Sequence, residues 1–228
     1  MATSPDKPAL QRRPQPGKRL LDLCIAVPTF LVLLPIMFVT AVAIALFLGW
    51  PVFFRQRRPG LLGRPFEMVK FRSMTVARNA DAHLQGAADR HRLTRLGRFV
   101  RKTSLDELPQ LWNVIRGDMS LVGPRPLFME YLPHYSAEHL RRHEVRPGIT
   151  GWAQVNGRNE TKFSERFKLD LYYVDHWSLG LDFRILALTL LRVVRSSGVQ
   201  NAQPTEDVDD LHLHPESRRK AGLPVLSI

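Results

Sequence analysis

The chain has 228 residues, with 33 Lys and Arg against 21 Asp and Glu and a formal net charge of +12. That length suits one domain with a sizeable core and an appendage, and the basic balance suits an anionic partner: nucleic acid, phosphorylated small molecules or an anionic membrane surface. The single cysteine, Cys24, excludes an intramolecular disulfide and a cysteine-built metal site, and its apolar surroundings predict a small buried hydrophobe.

Residues 1–17 are rich in Pro, Arg and Gln and read as a flexible leader. From Leu23 to Phe54 no residue is charged, a run longer than the ~20 residues that span a bilayer. No small-x-small cleavage site with a polar start behind it marks a cleaved signal. Lys18 and Arg19 flank one end, and Arg55, Arg57 and Arg58 the other. The positive-inside tendency therefore draws both ends to the cytoplasmic side. A bent, re-entrant helix satisfies both ends, and a straight span does not. Pro35 lies near the middle and marks the expected break, with Pro28 a second candidate. Each arm then holds roughly 12–15 residues, about 18–22 Å, short of a ~30 Å hydrocarbon core. A single spanning helix from about Phe30 to Leu48 and a buried hairpin in a soluble core stay open beside it.

Pro51–Phe54 and PFEMVKFRSM (65–74) read as two strands of a hairpin, with Arg57-Arg58-Pro59-Gly60 as the turn signal. Residues 76–92 are polar, helix or loop. Leu93–Lys102 is basic with apolar spacing. Ser104–Ile115 predicts a helix with Leu108, Leu111, Trp112 and Ile115 at helical intervals. Thr161–His176 predicts another, with Phe163, Phe167 and Leu171 on one stripe. Asp182–Arg195 is strongly apolar with arginines interspersed, which fits an interfacial helix or a core helix. From about Gln200 the chain is polar and aperiodic, a loose tail.

The common catalytic signatures are missing. There is no Gly-x-x-x-x-Gly-Lys-Ser/Thr, Gly-x-Gly-x-x-Gly, His-Glu-x-x-His or Gly-x-Ser-x-Gly. What stands out is SLDELPQ (104–110), an acidic pair in a basic chain. Its bland explanation is a capping box: Ser104 at the N-cap, Glu107 three residues on, and Asp106 favoured by the helix dipole. The neighbours point further. Arg101 and Lys102 keep a nearby carboxylate ionised. Gly123-Pro124-Arg125-Pro126 fixes an arginine on a rigid turn. Arg146-Pro147-Gly148-Ile149-Thr150-Gly151-Trp152 and Asn156-Gly157-Arg158-Asn159 add more. Carboxylates with fixed arginines suit phosphoryl transfer.

Five motifs in order, KRLLDL, RPG with FEMVKFRSM, SLDELPQLWNVIRGDMSLVGPRP, VRPGITGWAQVNGRN and KLDLYYV, resemble the bacterial sugar transferases. These are the monotopic phosphoglycosyl transferases that start polyprenol-linked glycan assembly. The resemblance runs from about Lys18 to Val199. It implies a small membrane-associated α/β (α+β) catalytic domain, mostly helical with a short β-hairpin, behind an N-terminal re-entrant helix broken near Pro35. The family often has Ser before that proline, where this chain has Leu34. The implied division is a leader (1–17), an anchor (18–54), a cytoplasmic catalytic domain with interfacial helices (55–200) and a loose tail (201–228).

The resemblance also implies roles. Asp106 is the nucleophile and Glu107 associates with Mg²⁺. Arg101 and Arg125 lie near the phosphates and Arg158 near the nucleotide, and Asp182 is a further acidic position of the active-site region. The implied reaction joins a UDP-sugar to undecaprenyl phosphate at the cytoplasmic face of the bacterial plasma membrane, releasing UMP through an aspartyl-phosphosugar intermediate. No nucleic-acid partner is implied; the sugar, the glycan pathway and the oligomeric state are left open. The competing readings are a membrane-tethered nucleic-acid-binding protein and a non-catalytic membrane scaffold.

Overall fold

The computed structural model describes residues 10–75, 92–157, 161–194 and 208–225. The apolar run forms one helix, α1 (Lys18–Leu48), which carries both Pro28 and Pro35 inside it. Its 31 residues make it about 46 Å long. Its buried positions, Lys18, Asp22, Ala26, Met37, Thr40 and Ile44, form one narrow stripe. Leu31, Val32, Phe38, Val39, Leu46 and Phe47 are exposed on the rest of its surface. Cys24 is exposed too, against expectation. It follows the buried Asp22 by two positions, about 200° around the helix, and so faces away from the core.

Both halves of α1 lie against the rest of the chain. Ala26, with Ile25, Phe30 and Leu33, joins a core that includes Leu111, Val114 and Met119. Met37 and Ile44, with Ala41 and Leu48, join Val52, Phe71, Leu96 and Leu108. Arg72 closes the far end. Its guanidinium donates to the Trp50 carbonyl at 2.9 Å and to the carbonyls of Leu48 and Gly49, taking up groups a helix end leaves unpaired.

Strands β1 (Phe53–Pro59) and β2 (Pro65–Phe71) form the expected antiparallel hairpin, in register from Phe53↔Phe71 to Pro59↔Pro65. The turn falls later than its sequence signal. Arg57, Arg58 and Pro59 belong to β1, and the chain reverses over Gly60–Arg64, where the Gly60 amide donates to the Arg64 carbonyl at 2.8 Å. Helix α2 (Arg95–Lys102) occupies the basic stretch and starts at Thr94, whose hydroxyl accepts from the Gly97 amide at 3.0 Å. Of the polar stretch 76–92, all but Arg92 lies outside the described residues.

The helix expected at Ser104 begins later. A 3₁₀ turn, Leu105–Glu107, comes first, and α3 runs over Gln110–Arg116 behind Pro109. Proline fits a first turn but not an interior, so the chain restarts there. Asn113, fully buried on α3, accepts from the Val69 amide at 3.0 Å and donates to the Glu67 carbonyl at 2.7 Å. This bolts α3 onto β2.

A second, parallel pair follows: β3 (Ser120–Val122) and, after the short α4 (Ala137–Leu140), β4 (Gly148–Thr150). It explains the glycines of the two Gly/Pro motifs. A Cβ on Gly123 would stand 2.3 Å from the Arg146 carbonyl, and one on Gly148 would stand 2.1 Å from the Gly123 amide. The two backbones touch where no side chain fits.

Helices α5 (Trp152–Asn156), α6 (Phe163–Asp175) and α7 (Leu179–Val194) complete the main body. The described chain is mostly helical with two short sheets and one long apolar N-terminal helix. The α6 stripe of Phe163, Phe167 and Leu171 is buried as expected. In α7, Asp182 and Ile185 are fully buried while Phe183, Leu190, Leu191 and Val193 are exposed. Arg192 donates to the carbonyls of Gln154 and Val155 at 3.0 and 2.7 Å, closing α5.

The two ends depart from expectation. Residues 208–225, expected as part of a loose tail, place Val208 and Leu213 in a core with Tyr131, Tyr135, Phe163 and Phe167, and form α8 (Pro215–Lys220). Val208, Leu213 and the partly buried Leu211 seat this polar segment. The described part of the leader is also docked. Leu10 packs on the same core, and Arg13 bonds Glu144 at 2.9 Å and Asp175 at 3.2 Å.

Candidate active site

Asp106 and Glu107 sit on the 3₁₀ turn between α2 and α3. Ser104 precedes it at φ 57°, in the left-handed region that non-glycine residues seldom enter. The capping box does not form. The Ser104 side chain makes no cap bond. The Glu107 carboxylate is instead drawn to two cations, accepting on Oε1 from Lys70 Nζ and from Arg125, each at 2.8 Å. Charge-assisted bonds of this length outweigh a neutral backbone contact.

Asp106 is left open. Among the described residues no hydrogen bond or ion pair reaches its carboxylate. Burial and the adjacent Glu107 charge push it above the usual aspartate range, against the pull of Lys70, Arg101 and Arg125. Burial would also raise Glu107, but Arg125 and Lys70 prevail and hold it at about 2. Glu107 is therefore ionised near neutrality. Arg101 is steadied by the Ser73 hydroxyl, to which its Nε donates at 2.8 Å.

Three cations here are not singled out by the sequence. Lys70 follows Met68 on the inward face of β2, and burial and then Arg125 lower its pKa against the attraction of Glu107. Arg58, over the Phe128 ring at 3.8 Å, is lowered to about 10 by burial and then by Arg125. Arg166 is lowered by burial and then by Arg125, against Asp170. Cations crowded around Arg125 stabilise an incoming anion. A lysine on the buried face of an amphipathic strand is the one signal that marks Lys70.

The expected site residues thus divide. Asp106, Glu107, Arg101 and Arg125 come together, while Arg158 lies outside the described residues. Asp182 shares none of these bonds. It accepts from the Tyr173 hydroxyl at 2.8 Å and from Trp177 Nε1 at 3.1 Å, and pairs with Lys18 at 3.1 Å. Lys18 also pairs with Asp22 at 3.2 Å. Asp22 in turn accepts from the Ser120 hydroxyl and the Leu121 amide. Asp182 belongs to a buried knot that ties the root of α1 to β3 and α7.

Pro35 lies on a cavity of about 370 Å³ between α1 and α2, lined almost wholly by apolar groups, including Val39, Ala43, Phe99 and Leu105. Leu105 is the residue before Asp106, so the wall of the cavity and the acidic pair adjoin in sequence. For Mg²⁺ the donor chemistry fits. Among the described residues no three His, Cys, Asp or Glu side chains form a metal cage. The unbonded oxygens of two adjacent carboxylates are what Mg²⁺ takes when water and phosphates complete its shell.

The model of the bacterial sugar transferase family matches residues 13–196. The chain belongs to this family. Among curated relatives it is 52% identical over 183 residues to the sugar transferase EpsL of Bacillus subtilis (strain 168), covering 80% of this chain and 90% of EpsL. It is 48% identical over 187 residues to the UDP-glucose:undecaprenyl-phosphate glucose-1-phosphate transferase of Xanthomonas campestris pv. campestris. It is 43% identical over 183 residues to the protein of the same name from Klebsiella pneumoniae. Those alignments cover 78% and 77% of this chain, and this sugar transferase spans 39% of the length of each of the two glucose-1-phosphate transferases. All the site residues above except the 158–160 segment belong to the described part of the family match.

Proposed function

We propose that this sugar transferase moves a sugar-1-phosphate from a UDP-sugar to undecaprenyl phosphate at the cytoplasmic face of the bacterial plasma membrane. The observation that carries the reading is Asp106: a carboxylate that no hydrogen bond reaches among the described residues, ringed by cations, and next in sequence to Leu105 on the wall of an apolar cavity against α1. An Asp106 oxygen attacks the sugar-linked phosphorus, and the bond to UMP breaks with its electron pair leaving on UMP. A phosphate oxygen of undecaprenyl phosphate then attacks the same phosphorus. Asp106 departs as carboxylate, and the product is undecaprenyl-diphosphate-sugar. Arg125, Lys70 and Arg101 neutralise the phosphate charge as it develops. Glu107 and Asp106 would hold Mg²⁺, which supplies further charge neutralisation when bound. The cavity beside Leu105 receives the first isoprene units, and the exposed aromatic and aliphatic groups of α1 and α7 lie in the lipid.

The test is UMP release across a panel of UDP-sugars with undecaprenyl phosphate in nanodiscs. UDP-glucose is the first donor to try, because two relatives carry its name. Turnover should need both substrates, stop on chelation and return with Mg²⁺. No release with any donor would refute the reading and leave the scaffold alternative.

The same reading makes α1 re-entrant. Contact with the domain along both halves of α1 supports this topology, although the helix runs unbroken through Pro28 and Pro35. In a Cys24→Ser background, Pro14→Cys and Arg64→Cys are expected to react with an impermeant thiol reagent from the same, cytoplasmic side of inverted vesicles. Labelling from opposite sides would establish a spanning helix.

A further inference from the structure

Arg125 needs an anchor of its own. Its side chain is about half exposed, 47%, and proline on either side removes the amides that would tie the segment down. The backbone is held by its carbonyls instead. Pro124 accepts from the Gly148 amide at 3.0 Å, and Arg125 accepts from Arg142 Nη2 at 2.8 Å.

Arg142 is buried, and so is its partner Asp170, at 3% and 2% exposure. Its Nη2 donates to Asp170 Oδ2 at 2.5 Å, and Nη1 donates to the Tyr135 hydroxyl at 3.3 Å. The guanidinium lies over the Phe167 ring at 4.8 Å. A buried ion pair is seldom the most stable way to fill such a space. Here a planar fork reaches three acceptors on different segments from two separate nitrogens, a geometry that the single nitrogen of a lysine does not reproduce.

We propose that Arg142 and Asp170 are a positioning pair that sets Arg125 against Glu107 and the substrate phosphates. Neither touches Asp106 or Glu107. Asp170 on α6 orients Arg142, Arg142 grips the Arg125 carbonyl, and the Arg125 side chain reaches the acidic pair. The inference rests on the sugar-1-phosphate transfer reading for its kinetic consequence, though not for its geometry.

Two measurements test it. In the first, kcat/KM for UMP release is compared among wild type, Arg142→Lys, Arg125→Ala and the double variant. Arg142→Lys is expected to lose about a hundredfold, the scale of an ångström-sized misplacement. The double variant should be no slower than Arg125→Ala, because Arg142 acts only through that side chain. Losses that multiply would overturn the pair's role. The second measurement needs no turnover: the structure of Arg142→Lys is determined. In wild type Arg125 Nη2 lies 2.8 Å from Glu107 Oε1, and in Arg142→Lys that contact should open as Arg125 withdraws. An intact contact would overturn the proposal even if no donor were ever found. Wild type inactive with every donor while the contact still opens would count against the transfer reading alone. Should Arg142→Lys not fold, Asp170→Asn loosens the same grip with an isosteric side chain and is expected to shift both readouts in the same direction.

Discussion

Asp106→Asn is expected to abolish UMP release while the protein stays folded. The loss should reach about 10⁴- to 10⁶-fold, the range for removing a nucleophile or its essential partner. Asparagine matches aspartate in shape, and no hydrogen bond in the described structure depends on the lost charge. The ionised form is disfavoured in the fold by burial and by Glu107. Removing the charge should therefore leave thermal stability unchanged or raised, a trade of stability against activity common at reactive centres. Acid quenching after brief exposure to radiolabelled UDP-sugar should leave label on wild type and none on the variant. Turnover that survives in Asp106→Asn would sink the nucleophile assignment.

The pH profile follows from the same carboxylate. Attack needs Asp106 deprotonated, so the acid limb of kcat/KM should lie above the ordinary aspartate value of 3.8. Lys70→Met removes a cation that opposes the shift and should move that limb higher still. At the other end, the lowered Lys70 pKa places the loss of its charge below the usual lysine range.

Lys18→Met should cost about 3–5 kcal/mol of stability, the scale for breaking a buried ion pair from one side. Lys18, Asp22 and Asp182 are 5%, 1% and 0% exposed, and one ammonium serves both carboxylates. Without it two acids share one dry space. Burial already raises the Asp182 pKa against the pull of Lys18, so without Lys18 it rises further and the folded variant binds more protons. Its deficit relative to wild type should shrink as pH falls through that raised value, and denaturant unfolding at pH 8 and pH 5 would show it. An equal deficit at both would remove the electrostatic cause. Asp182→Asn separates two roles for Asp182. A structural role lowers stability and spares turnover per folded molecule, whereas a role at the reaction lowers turnover.

Local pattern carried much of the fold. The apolar run, the β1–β2 hairpin and the α6 stripe follow from period and composition, and each appears near its expected bounds. What the pattern missed depends on partners distant in sequence. Glu107 has the spacing of a capping box, yet Lys70, 37 residues away, takes its carboxylate. α3 starts late because Pro109 would fall inside a helix begun at Ser104. The polar segment after residue 200 looks aperiodic, but Val208 and Leu213 find a core that includes Tyr131. The acidic pair and the arginines Arg101 and Arg125 were legible through the family resemblance. Lys70, Arg58 and Arg166 were not, because only the folded chain shows that Arg125 acts on all three.

The inward stripe of α1 changes what the anchor is. Ala26 and Ile44 are interior residues of the cores they join, and Asp22 holds the Ser120 hydroxyl and the Leu121 amide a few positions ahead of Arg125. The anchor is thus a wall of the catalyst and not a leash. Cutting it away to obtain a water-soluble enzyme would unroof both cores, and grafting on an unrelated lipid-binding helix would fail unless the inward stripe were copied. The outward face, with Leu31, Val32, Phe38 and Leu46 exposed, is freer to drift in sequence, so variation along this one helix should follow its circumference more than its length.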